Sequence, residues 1–153
     1  MGQDRGSGPG DRRFIAEMTD KKKVIFATGK RKTAIAKAIL KPGRGLVTVN
    51  NVPAEALKPD LVRAKVSEPL SIAGDKASEV DITVKVKGGG IISRAEAVRT
   101  AIARALVKWS RSLDLRKKFI AYDRTMLAGD PRRTEPKKFG GPGPRRRRQK
   151  SYR

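Results

Sequence analysis

The residues of this chain best suited to chemistry are cations set among glycines and short polar residues. Gly29-Lys30-Arg31-Lys32-Thr33 is a tight basic cluster beside an apolar run. Lys87-Gly88-Gly89-Gly90 leads from a strand-like pattern toward a helical one. Arg145-Arg146-Arg147-Arg148 precedes the ending Gln149-Lys150-Ser151-Tyr152-Arg153. Such groups bind anions. The planar fork of arginine grips phosphate oxygens and stacks on bases, and lysine acts as a point charge. A glycine-rich turn ahead of a helix can add backbone N–H donors. Each stretch also has a plainer reading, as a solvated loop, a flexible connection and a solvated tail. The glycine run lacks both the Rossmann spacing and the Gly-Lys-Ser/Thr ending of a nucleotide loop.

Other chemistries find little to work with. The chain has no cysteine and no histidine, which removes disulfides, Cys/His zinc sites and catalysis by thiol or imidazole. Asp60, Asp81 and Glu96 are scattered, and no carboxylate pair calls for acid–base work. We expect no cofactor, no metal and no small-molecule substrate. The longest clear apolar run is Val24–Ala27, far short of a membrane span. The N-terminus has no apolar signal region, and Gly6 occupies the position where myristoylation needs Ser or Thr.

The charge itself points to a polyanion. Thirty-seven basic and 15 acidic residues among 153 give a net +22. Self-repulsion at that level opposes a compact state unless counter-charge is present. Nucleic acid, an anionic membrane surface or an acidic protein would supply it. Residues 1–20 hold 3 basic and 4 acidic residues, residues 21–128 hold 24 and 9, and residues 129–153 hold 10 and 2. The centre is basic as well as the end, so the footprint is broad.

The elements that must position these cations follow from periodicity. Glycines and Pro9 make residues 1–20 a flexible extension. Residues 21–128 form one globular unit. Val24–Thr28 and Thr33–Leu40 read as strands around the Lys30–Lys32 cluster, although the Ala-rich second run also admits a helix. Pro42-Gly43-Arg44-Gly45 then joins Thr33–Leu40 to Leu46–Val52 as a hairpin. Asp60 is a plausible N-cap for a helix that Pro69 ends near Glu68. Val80–Val86 alternates cleanly as a strand. Ser93-Arg94-Ala95-Glu96 is a capping box opening the strongest helix, with Val98, Ala101, Ile102, Ala105, Leu106 and Trp109 on its apolar stripe. Arg94, Arg99, Arg104, Lys108 and Arg111 lie off that stripe and offer cations to a partner. Asp114 is expected to cap a last helix with Leu115, Phe119 and Tyr122 on one side. Residues 129–153 carry four prolines and almost no apolar residues, so an extended tail is expected. Trp109 suits core packing. Phe139 and Tyr152, with no core competing for them, suit stacking or packing against RNA.

Taken in order, several of these stretches resemble the family of the ninth protein of the small ribosomal subunit. The resemblance is carried by Thr28–Ala36, Val49-Asn50-Asn51-Val52-Pro53, Lys87–Gly90, Ser93–Leu106, Asp130–Gly140 and Gln149–Arg153. The Ser-Tyr-Arg ending is similar to the archaeal and eukaryotic branch. The family implies an α+β fold: a four-stranded sheet with helices packed on it, like the second domain of the fifth small-subunit protein, plus a long basic C-terminal tail. It implies a cytoplasmic, ribosomal location in the subunit head, bound to ribosomal RNA and near other head proteins, with no membrane. Carried over, Lys30, Arg31, Lys32, Arg44, Lys87, Gly88, Gly89, Arg94, Arg99, Arg132, Arg133, Lys137, Lys138 and Arg145–Arg148 would bind ribosomal RNA. Lys150, Ser151, Tyr152 and Arg153 would contact P-site tRNA.

Two other classes stay in view. A free RNA chaperone or DNA-compacting protein would share the charge and the flexible ends, but would bind many nucleic acids without fixed stoichiometry. A small-molecule kinase can share the fold, but would need a phosphate loop and a catalytic carboxylate, and neither is visible.

Overall fold

The computed structural model describes residues 24–151. The expected extension at residues 1–20, together with Tyr152 and Arg153, lies outside the described residues.

β1 (Ile25–Arg31) and β2 (Ala34–Pro42) form an antiparallel hairpin with Arg31 opposite Ala34. Lys32 and Thr33 make its tip, and Lys32 sits in the left-handed region at φ 52°. The Ala-rich run is a strand because its period is two. Ala34, Ala36, Ala38 and Leu40 point inward and are fully buried, while Ile35 and Lys37 point out.

The expected hairpin between β2 and the Leu46–Val52 run does not form. β5 (Val80–Lys87) lies between them, antiparallel to β2 and parallel to β3 (Val47–Val49). β5 carries Val80, Ile82, Val84 and Val86 on one face, and a central place gives that face the fullest burial. Asp81 turns the connecting loop, its Oδ1 accepting from the N–H groups of Arg44 at 2.9 Å and Leu46 at 3.0 Å.

The Leu46–Val52 run is also two strands, not one. Asn50 and Asn51 both take left-handed backbone, at φ 49° and 68°, which folds β3 tightly back into β4 (Val52–Pro53). The sheet therefore has five strands in the order β1-β2-β5-β3-β4, not the expected four. The Asn50 amide continues the pairing with β5, donating to Val86 O at 3.2 Å and accepting from Val86 N–H at 2.9 Å.

The helices are α1 (Asp60–Ala73), α2 (Asp75–Ser78), α3 (Ile91–Ser110), α4 (Leu113–Tyr122) and α5 (Thr125–Ala128). Four of the expected helix boundaries shift. Pro59, not Asp60, is the N-cap of α1; Asp60 stands in the first turn and pairs with Arg63 at 3.2 Å. α1 also runs through Pro69 to Ala73. The ring of Pro69 is buried, and that burial offsets the backbone hydrogen bond a proline cannot donate. α3 starts two residues before the capping box, with Gly90 as N-cap and no side-chain cap, so Glu96 is released to pair with Arg31. Ser112, not Asp114, caps α4, its hydroxyl accepting from Leu115 N–H at 3.4 Å.

α3 lies along the inner face of the sheet, and α1, α4 and α5 pack against α3. Gly29 sets the approach: a Cβ there would stand 2.0 Å from Ala97 O. The buried centre includes Leu40, Ile82, Val98, Ile102, Leu106, Phe119 and Met126, with Trp109 packed at its margin. Tyr122, expected on the same side of α4 as Leu115 and Phe119, is exposed while those two are buried. β1 is an edge strand, and α3 covers part of that edge: Lys108 Nζ donates to Phe26 O at 3.2 Å and Arg104 Nη1 to Thr28 O at 2.8 Å. Beyond α5 the described residues form no further helix or strand, apart from an isolated parallel bridge between Arg31 and Asp130.

Candidate nucleic-acid interface

The hairpin tip, the end of α5 and the segment after it enclose a cleft of about 590 Å³. Lys30, Lys32, Arg104, Arg124 and Arg133 bring five cations to its lining, and Asp130 brings the only carboxylate among the described residues that line it. Lys30 and Lys32 are exposed, as are Arg124 and Arg133. Arg104 reaches three backbone carbonyls: Thr28 O, Leu127 O at 2.7 Å and Ala128 O at 3.0 Å. Among the described residues no carboxylate neutralises it, so it keeps the field at the cleft floor positive.

Asp130 offsets little of that charge, because it is already engaged. Arg132 binds both its oxygens through its side chain and donates its backbone N–H at 2.9 Å, and Arg31 Nη2 lies 3.0 Å away. The side-chain hydrogen bond from Arg132, then its backbone N–H, hold the Asp130 carboxyl at about 2.

Arg31 itself is turned inward. Its Nε donates to Glu96 Oε2 at 2.6 Å, its Nη1 to Arg132 O at 3.2 Å, and little of its side chain is exposed. It joins the hairpin to α3 and to the C-terminal segment and presents no free edge to a phosphate.

Arg99 corrects the sequence reading more strongly. It is 8% exposed, with Nε 2.5 Å from Glu68 Oε2 and Nη1 2.9 Å from Asp123 Oδ2. It ties α3 to α1 and to the link between α4 and α5, and it is not available to RNA. Burial pushes the Asp123 carboxyl up, but the hydroxyl and N–H of Thr125 and the Arg99 guanidinium together draw it below the usual range.

The glycine loop has a conformational role. Gly88 and Gly89 hold φ 76° and 66°, and a Cβ at Gly88 would stand 2.6 Å from Thr33 O. The loop thereby packs against the hairpin tip, and Arg94 Nε donates to Gly88 O at 3.0 Å. Lys87 is exposed beside it. Arg44 is also exposed, but at the opposite end of the sheet. Hydrogen bonds from the backbone of Arg44, then Leu46, hold the Asp81 carboxyl below its usual range.

Along the C-terminal segment, Lys137, Lys138, Arg146, Arg147, Arg148, Lys150 and Ser151 are exposed, and Phe139 is 94% exposed. Arg145 instead grips Glu135 in a fork, at 2.6 and 3.0 Å. Arg148 N–H closes a turn onto Gly140 O at 3.0 Å. Sequence reasoning missed Arg124 as a cleft residue and assigned Arg104 to a helix surface. Only the return of the chain past the hairpin tip makes them neighbours of Lys30 and Lys32.

Among the described residues, no helix is long and apolar enough to cross a membrane. The profile of the family described as ribosomal protein S9/S16 matches residues 29–153. The small ribosomal subunit protein uS9 of Desulfurococcus amylolyticus is 54% identical over 136 residues, covering 89% of this chain and 97% of that protein. The protein of the same name from Thermoplasma volcanium is 50% identical over 129 residues, covering 84% and 98%. On this footing the chain belongs to the S9 family of small-subunit ribosomal proteins, structural constituents of the ribosome and not enzymes.

Proposed function

We propose that this chain binds small-subunit ribosomal RNA in the subunit head and that its last residues contact P-site tRNA. The cleft carries the reading: Lys30, Lys32, Arg104, Arg124 and Arg133 converge there, and Asp130 beside them is held by arginines. A phosphate entering the cleft meets five cations that the fold brings together, of which Arg104 is held in place by three backbone carbonyls. Phosphate contacts position a protein without reading sequence, and specificity for one ribosomal site then comes from RNA shape.

Residues 21–128 act as the globular RNA-binding unit and residues 129–153 as a basic tail, with 1–20 as an added extension. Arg132, Arg133, Lys137, Lys138 and Arg146–Arg148 follow ribosomal RNA, beside other head proteins. Lys150, Ser151, Tyr152 and Arg153 reach the tRNA. A partner of that kind must accept every tRNA, which suits backbone contact. We also read the helix-covered sheet as akin to the second domain of the fifth small-subunit protein.

The test is sedimentation of small subunits after a high-salt wash, with this protein quantified by mass spectrometry. One copy per subunit, resistant to the wash, is the expected result. Release to the top fractions would favour a loosely bound, free RNA-binding protein.

A further inference from the structure

The sheet has two faces, and the described residues cover one. On the other face, strand register arranges the side chains in rows. Lys30, Ile35 and Lys87 form the row nearest the hairpin tip. Thr28, Lys37 and Lys85 form the next, and Phe26, Ile39 and Thr83 the third. All of these except Ile39 are exposed, Phe26 at 64% and Ile35 at 45%.

The charge on this face is lopsided. Four lysines occupy two adjacent rows, and among the described residues no carboxylate pairs with any of them. Lys37 lies directly opposite Lys85, a like-charge pair that weakens a sheet. The acid nearest in register, Asp81, stands at the far end opposite Lys41 and is turned to the Arg44–Leu46 loop. Two inward-turned arginines, by contrast, are matched with acids: Arg31 has Glu96 and Asp130, and Arg99 has Glu68 and Asp123. The lysines of the open face have none.

We propose that the open face of the sheet, through Lys37 and Lys85 with Lys30 and Lys87 flanking them, is a second binding surface for ribosomal RNA. The occupant is the phosphate backbone of an RNA strand, with Phe26 and Ile35 against its sugars and bases. An RNA strand supplies a negative charge at every nucleotide, which answers a grid of lysines with no acids. This rests on the RNA-binding reading above and adds a face opposite to α3. Lys30 belongs both to this face and to the cleft lining, so one RNA can run from one to the other.

The experiment uses the full-length protein and small-subunit ribosomal RNA transcribed from an archaeal template. Binding is measured across salt concentrations for the wild type, K37Q/K85Q, K37R/K85R and a variant with Arg146–Arg148 changed to Gln. Thermal melts of the free proteins run alongside. K37Q/K85Q is expected to lower the salt slope by about 1.5, at roughly 0.7–0.9 per phosphate contact, and to weaken binding about tenfold. Its melting temperature should be no lower than that of the wild type, because a like-charge pair has been removed. K37R/K85R should bind as the wild type does. Unchanged slope and affinity in K37Q/K85Q, while the tail variant is reduced in both, would overturn the second surface and leave the RNA reading standing. Full RNA affinity with failure to enter subunits would make the face a protein contact and also overturn it. A wild type that binds no RNA would overturn both readings.

Discussion

Arg31 and Asp130 join the end of the first strand to the start of the C-terminal segment: Arg31 Nη2 lies 3.0 Å from Asp130 Oδ2, and the two backbones form a parallel bridge. They are nearly a hundred residues apart in sequence. Glu96 on α3 holds the other side of the same guanidinium at 2.6 Å. The direction in which the segment leaves the domain is thus set by a charged cluster and not by apolar packing.

Asp130→Asn should release that junction. Trypsin is expected to cut at the exposed Arg132–Arg133 bond several-fold faster in the variant, with the far-ultraviolet spectrum unchanged. The pH dependence has a definite sign. The folded Asp130 carboxyl lies at about 2, below its ordinary 3.8. Its contribution is therefore complete above about pH 4 and fades as pH falls toward 2. The wild type and Asp130→Asn should differ in melting temperature at pH 5 and converge near pH 2. An equal gap at both values would show that Asp130 is not the titrating group.

Arg99 gives a prediction with separable readouts. Replacing it with Met leaves Glu68 and Asp123 facing each other without their shared cation. Both carboxylates are partly solvated, so the destabilisation is set below that of a fully buried pair, at about 2 kcal/mol. The folded variant should bind RNA as tightly as the wild type. A fall in RNA affinity at unchanged stability would return Arg99 to the interface.

The Arg99 case shows where the sequence stops being informative. Periodicity identified α3, β5 and the first strand of the hairpin, and left the Ala-rich second strand open between strand and helix, because alternation and helical spacing are local properties of the chain. It also placed Arg99 off the apolar stripe, which is true of α3 alone. Whether such a residue meets solvent or a pair of acids depends on α1 and the α4–α5 link, and no spacing within α3 encodes them. Strand order failed similarly: the loop at Pro42–Gly45 reads as a hairpin until β5 takes the place beside β2. The Asn50-Asn51 turn went unread: asparagine tolerates left-handed backbone, but the alternation of Val47 and Val49 carried the strand reading through it. The exposed cations at Lys30, Lys32 and Lys87 were legible because no core could be built from them. The cleft they help to line was not, because Arg104 and Arg124 arrive there only through tertiary folding.

Gly29→Ala tests how closely strand and helix must approach. The new methyl would overlap Ala97 O and stand 2.6 Å from Ala101 N, both of them backbone atoms of a well-packed helix. β1 must then move away from α3. We expect a destabilisation of about 3 kcal/mol, the upper end for overpacking, because neither partner is a flexible side chain. The shift should also carry Lys30 and Lys32 away from the cleft and reduce RNA affinity in the folded fraction. A variant as stable as the wild type would mean that β1 can slide on α3 without penalty.

Deleting Lys150–Arg153 separates the proposed tRNA role from assembly. The globular domain lies far upstream of the cut, and the anchoring ion pairs at Asp130 and Glu135 remain. Incorporation into subunits should be unchanged. The segment from residue 129 onward could span about 80 Å if fully extended, enough to reach well beyond a small domain. Removing its tip takes cations away from the distant end only. Affinity for P-site tRNA should fall, and its salt slope should drop by about one unit for each phosphate that the shortened chain no longer reaches. The drop should be similar for different tRNAs, because a backbone contact does not read sequence. If tRNA affinity and decoding fidelity stay at wild-type values in fully assembled subunits, the tip has no tRNA role and the tail serves ribosomal RNA alone.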